Sequence, residues 1–160
     1  MKPSADERCF SIGIGPVKIP EYLDQPKIVT RAGANQLKLA EFDRWSESLY
    51  GSITWVLAKN LSVLLCTKTI AIFPWRGGIP FDYRIEVDVQ RFDGTLGGDV
   101  SLEAWWRLLS GDGKTLLQSK QTILSEPSGS GDYESLVRAH SRTLEKMSRE
   151  LAEAIKTLPK

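Results

Sequence analysis

The sequence predicts an α+β fold: a two-layer domain in which a mixed, mostly antiparallel sheet of about six or seven strands carries two long helices on one face. Three patterns point there. Phe81, Tyr83, Ile85, Val87 and Val89 alternate with Asp82, Arg84, Glu86, Asp88 and Gln90, which is a strand with one dry and one charged face. Trp45, Leu49, Ile53, Leu57, Leu61 and Leu64 recur at three- and four-residue steps, and so do Leu136, His140, Leu144, Met147, Leu151 and Ile155. Two helices, each apolar along one stripe, bury that stripe best on a common sheet.

Taken in order, Phe10, Ile12 and Ile14 alternate with Ser11 and Gly13, a first strand that Val17-Lys18-Ile19 continues past Pro16. A proline inside a strand marks an edge, a bulge or an interruption. Pro20 to Pro26 is a turn or a single helical turn framed by prolines. Lys27 to Arg31 reads as a strand, Ala32 to Asn35 as its hairpin loop, and Gln36 to Phe42 as the return, with Leu37 and Leu39 on one face. A helix is expected to begin near Asp43, which can cap it, and to end near Cys66. Thr67 to Trp75 follows as a strand, broken by Arg76 to Pro80. The strands from Phe81 to Leu124 form a meander, turning at Gly94–Gly98 and at the tight hairpin Ser110-Gly111-Asp112-Gly113. Asp132 caps the long final helix. The strand–helix–strand run from Gln36 to Trp75 supplies a crossover, which makes the sheet mixed.

The 160 residues suit one domain, expected over residues 10–158 behind a flexible segment at residues 1–9. The formal charge of +1 lacks the Lys and Arg surplus that phosphate binding requires, so nucleic acid is not an expected partner. No apolar run approaches the roughly 20 residues that cross a bilayer. MKPSADERCF is polar and offers no signal-peptide core. Cys9 and Cys66 lack metal-ligand spacing and read as incidental thiols.

No motif carries catalysis. Gly13 and Gly15 run into Pro16, Val17 and Ile19, extended structure rather than the helix that a phosphate loop opens. Gly111-Asp112-Gly113-Lys114 sits between two strands and reads as a hairpin. His140, the single histidine, lies within an apolar stripe and reads as a satisfied core residue. Asp82, Glu86 and Asp88 read as a solvated sheet face of weak ion pairs. No HxxxH, CxxC or clustered DxD pattern suggests a metal, and no cofactor is expected. The tryptophans carry more. Trp105 and Trp106 are adjacent on a strand and point to opposite faces, so Trp106 joins the inward row and Trp105 faces out. Trp55 falls off the main helix stripe. Exposed tryptophans are typical interface anchors.

The segment GIGPVKIPEYLDQPKIVTR, followed by Ala40-Glu41-Phe42 and Arg44-Trp45, resembles the PqiC family of ABC-type transport auxiliary lipoproteins. Tyr83-Arg84-Ile85-Glu86-Val87, Arg91-Phe92-Asp93-Gly94, Trp106-Arg107-Leu108 and Asp132-Tyr133 agree with it. The resemblance implies a non-catalytic protein on the periplasmic side of the Gram-negative outer membrane, supporting envelope integrity. It implies a lipid anchor, ring-like homo-oligomers and partnership with an MCE-type periplasm-spanning protein in lipid transport. The family's leader and lipidated cysteine are absent from this sequence. With docking as the expected mechanism, the candidate interface is Pro20, Glu21, Tyr22, Leu23 and Asp24 together with Trp55, Trp75 and Trp105. The Pro20–Pro26 segment is expected to add little to the core. The alternative is a lipid or small-amphiphile binding domain with a cavity between sheet and helices, which needs on the order of 300 Å³ or more.

Overall fold

In the computed structural model, which describes residues 8–33, 36–44 and 49–159, seven strands form one mixed sheet. The elements are β1 (Cys9–Lys18), a single 3-10 turn (Glu21–Leu23), β2 (Lys27–Gly33), β3 (Gln36–Arg44), α1 (Leu49–Leu64), β4 (Cys66–Ile72), β5 (Tyr83–Gly94), β6 (Asp99–Ser110), β7 (Leu116–Pro127) and α2 (Tyr133–Thr157). β5 is the hub. One of its edges pairs with antiparallel β6 from Tyr83↔Ser110 to Gly94↔Val100. The other is shared end to end by two parallel partners, β1 from Ile12↔Tyr83 to Lys18↔Asp88 and β2 at Thr30↔Gly94. Beyond these lie β7 next to β6, β4 parallel to β1, and β3 antiparallel to β2.

Both helices cover one face. The inward row Val100, Leu102, Ala104, Trp106 and Leu108 is buried, as are Ile12, Ile14, Ile85 and Val87. Against them pack Ile53, Leu57 and Leu61 of α1 and Leu136, Met147, Leu151 and Ile155 of α2. Each such side chain contributes roughly 1.5–3 kcal/mol on burial. The helices also touch, with Asn60 Nδ2 donating to Ser148 Oγ at 3.1 Å. Asp132 caps α2 as expected, its carboxylate accepting the Ser135 N–H at 2.7 Å.

Three expectations change, and of the three readings left open for Pro16 the bulge holds. Asp43 is not a helix cap: β2–β3 pairing reaches Lys27↔Arg44, so the ladder holds Asp43 in a strand and α1 starts at Leu49. Trp45 and the end of the hairpin loop lie outside the described residues. β4 stops at Ile72: Phe73 N–H still bonds Ile14 O of β1 at 2.8 Å, and the chain bends away at Phe73-Pro74. Pro16 sits in an interior strand, where β1 shifts register against β5 between Ile14 and Val17. This is a bulge. Finally, Cys9 and Cys66 are not incidental thiols. They are register partners on β1 and β4 and form a disulfide, with Cα atoms 4.5 Å apart. The crossover through α1 brings them together, so their sequence spacing could not announce it.

Candidate docking surfaces

The Pro20–Pro26 strap is fastened from beneath. Leu23, on the 3-10 turn, is 3% exposed and belongs to the core, contrary to the expectation that the strap adds little burial. Tyr22 is half-buried and donates its hydroxyl proton to Asp93 Oδ2 at 2.6 Å, while accepting the Phe92 N–H at 3.2 Å. Asp93 is fully buried near the end of β5 and takes Arg31 Nε at 2.7 Å and Arg91 Nε at 3.3 Å. A buried carboxylate is tolerable only when so supplied with donors. Burial, and then the hydrogen bond to Asp93, push the Tyr22 hydroxyl up to about 12. The hydrogen bond to Asp93 likewise raises Arg31. Of the candidate interface residues here, Glu21 and Asp24 are exposed and Pro20 is half-buried, while Tyr22 and Leu23 act as anchors.

The sequence showed Asp93 only as part of a resemblance and did not reveal this anchoring. One signal was available. The apolar alternation at 81, 83, 85, 87 and 89 resumes at Phe92, a change of parity that marks a bulge, and the register indeed shifts between Val89 and Arg91.

The tryptophans separate as follows. Trp106 is 1% exposed and donates Nε1–H to Thr122 Oγ1 at 2.8 Å; Thr122 in turn donates to Glu150 Oε2 at 2.5 Å, joining β6, β7 and α2. Trp105 faces away on the helix-free side of the sheet, 38% exposed, and Trp55 is 61% exposed on the outer side of α1. Trp75 is half-buried, with its indole N–H on Ala71 O at 3.2 Å and the Arg84 guanidinium 4.8 Å above its ring. Trp55 on α1 and Trp105 on the helix-free side of the sheet thus lie on different faces.

The remaining sites hold no reactive arrangement. His140 is 3% exposed, its Nδ1–H donates to Leu136 O at 2.8 Å, and its ring meets Phe92 edge-on at 4.6 Å. Burial lowers its pKa to about 4, against the smaller opposing pulls of the Leu136 carbonyl and Asp93. Arg84 gives Nε–H to Gly111 O rather than to Asp82, Glu86 or Asp88. Asp82 accepts the Ser11 N–H. Among the described residues no cluster of His, Cys, Asp and Glu could hold a metal ion, and no helix is long and apolar enough to cross a membrane. A groove of about 490 Å³ runs between β7 and α2, but Lys120, Arg149, Glu150 and Glu153 line it. An acyl chain there would have to desolvate charges, which does not favour the amphiphile alternative.

These features define a class by fold: a two-layer α+β domain with a mixed sheet whose outer face, among the described residues, is bare of helices. The chain belongs to the family of ABC-type transport auxiliary lipoprotein components, whose model matches residues 1–152. No curated protein matches it in sequence. Among solved structures it is similar to an uncharacterised protein at 20% identity and TM-score 0.78, covering 91% of this chain and 92% of that one. It is also similar to protein XCC0632 from Xanthomonas campestris, at 17% identity and TM-score 0.76 over 94% and 86% of the two chains. PelC from Paraburkholderia phytofirmans, a dodecamer, matches at 14% identity and TM-score 0.55 over 91% of each chain. At such identities the likeness speaks for the fold alone.

Proposed function

We propose that this protein is a non-catalytic auxiliary component of an MCE-type lipid transport system. In this reading it resides at the periplasmic side of the outer membrane and supports envelope integrity by docking to partner proteins. The observation that carries the docking mechanism is the strap. Tyr22 and Leu23 fix it from below to buried Asp93 and to the core, while Glu21 and Asp24 remain exposed. A segment held this way presents a rigid surface, and rigidity lowers the ordering cost of association. Trp55 and Trp105 supply further anchors of the kind that dominate interfaces. Homo-oligomerisation fits the same reading, since a dodecamer is built on a related fold in Paraburkholderia phytofirmans. Membership of a transport auxiliary lipoprotein family supports both the transport role and the envelope location.

The test is copurification. The MCE-type protein of the same system, extracted from membranes, is expected to carry this protein with it, and deletion is expected to raise envelope permeability. A partner complex that assembles equally well without this protein, together with unchanged permeability, would overturn the reading.

A further inference from the structure

Between β4 and β5 the chain does not take the short way. Residues 73–82 fold back over the helix-free face of the sheet, tied at one end by Phe73 N–H to Ile14 O at 2.8 Å and at the other by Asp82 N–H to Ser11 O at 2.7 Å. Between these ties Trp75 and Phe81 bring ring edges against Gly13. A Cβ at Gly13 would stand 2.7 Å from Trp75 Cζ2 and 2.9 Å from Phe81 Cε2, so the glycine is what lets the rings approach. Phe73 meets Trp75 edge-on at 5.2 Å and Phe81 meets it at 5.1 Å, with Arg84 stacked above. The base of the loop is therefore rigid, and the polar atom of Trp75 is already satisfied by Ala71.

On this base the loop exposes two apolar side chains, Phe73 at 39% and Ile79 at 38%. Its sequence from 72 to 81, IFPWRGGIPF, contains no acidic residue and one cation, the exposed Arg76. Asp82, just beyond, turns its carboxylate into the Ser11 N–H at 2.8 Å.

We propose that this loop is a membrane-surface contact. Phe73 and Ile79 enter the headgroup–acyl boundary of a bilayer and Arg76 meets anionic lipid phosphates. The occupant follows from the chemistry. A protein interface asks for about one hydrogen bond per 100–200 Å² to fix its register. With Trp75 engaged, Arg76 is the one side chain from 72 to 81 that can still offer any. A lipid surface needs no register, only apolar points and a cation opposite the phosphates. A rigid aromatic base keeps the tip from collapsing onto the sheet when it meets water. In a lipoprotein family, such a reversible second contact would orient the domain on the membrane that its lipid holds. The proposal is independent of the transport partner.

The experiment is vesicle cosedimentation of the whole chain without added partner. Vesicles of phosphatidylethanolamine with phosphatidylglycerol are compared with vesicles of phosphatidylcholine. The wild type is expected to bind the anionic vesicles and to lose affinity at high salt. The double variant Phe73→Ser/Ile79→Ser is expected to lose at least about tenfold in affinity for them. Arg76→Gln is expected to weaken binding to anionic vesicles and leave binding to phosphatidylcholine unchanged. Far-UV circular dichroism and Tm, expected to match wild type, keep a folding defect from imitating the result. Absence of wild-type binding to either vesicle would overturn the proposal, as would equal binding by the well-folded double variant. So would loss of partner-protein capture by that variant without any effect on vesicles, which would make the loop a protein contact.

Discussion

Asp93 takes two arginines and a tyrosine at a position without solvent exposure, and draws Tyr22 and Arg31 from far away in the chain. Its partners explain why the strap is ordered. Tyr22→Phe keeps the ring but withdraws the donor, so unfolding stability is expected to fall by about 1–2 kcal/mol, read by urea denaturation. Unchanged stability would mean that Asp93 is satisfied without the tyrosine. His140 makes a second test at this scale. Its folded pKa of about 4 lies below the ordinary 6.5, so between these values the unfolded chain binds the proton and the folded one does not. Stability from the neutral, buried ring is thus whole above pH 6.5 and falls as pH drops toward 4, by about 3 kcal/mol over the window. His140→Gln is expected to flatten that part of the stability–pH curve. Glu126, held down chiefly by Lys146, loses its contribution as pH falls below the ordinary carboxylate pKa and so overlaps only the acid end of this window. Alternation alone placed Trp106 in and Trp105 out, and helical spacing placed His140 inside. It could not place Asp93, whose burial depends on partners about 60 and 70 residues away.

At the level of elements, two glycines in β1 are spacers for aromatic rings. Gly13 lies beneath Trp75 and Phe81. Gly15 has a φ of 122°, and a Cβ there would come within 2.5 Å of the Phe73 Cβ. Gly13→Ala is expected to lift the rings, lowering stability by about 1–3 kcal/mol and shifting near-UV circular dichroism, because overpacking a fixed backbone forces neighbours aside. A neutral Gly13→Ala would show the loop to be loosely held. In the sequence the strand that follows these glycines makes them unfit for phosphate, yet what they admit comes from a loop about 60 residues on. The start of α1 escaped for a similar reason. Asp43 has the chemistry of a cap, but cross-strand pairing with β2 outweighs a local preference worth about 1 kcal/mol. Both helices and the meander from β5 to β7 with its two turns were legible because their patterns are long and local.

Taken whole, the molecule is a sheet stapled where its parallel strands need it. The Cys9–Cys66 disulfide spans 57 residues and joins β1 to β4. On chain-entropy grounds a loop of that size is stabilised by about 4 kcal/mol. The double variant Cys9→Ser/Cys66→Ser is expected to lose up to about that amount, and dithiothreitol is expected to do the same to the wild type and nothing to the variant. Equal stability with and without reductant would remove the staple from the account. The central claim is that the protein works by docking, through a strap fixed from within. It is tested most directly by quantitative copurification of the proposed MCE-type partner with wild type and with Glu21→Lys/Asp24→Lys. These exposed changes leave Tyr22, Leu23 and Asp93 in place, so Tm is expected to stay constant while partner recovery falls at least about tenfold, the loss that unfavourable charge at an interface produces. Full recovery of the partner by the folded double variant would contradict the account.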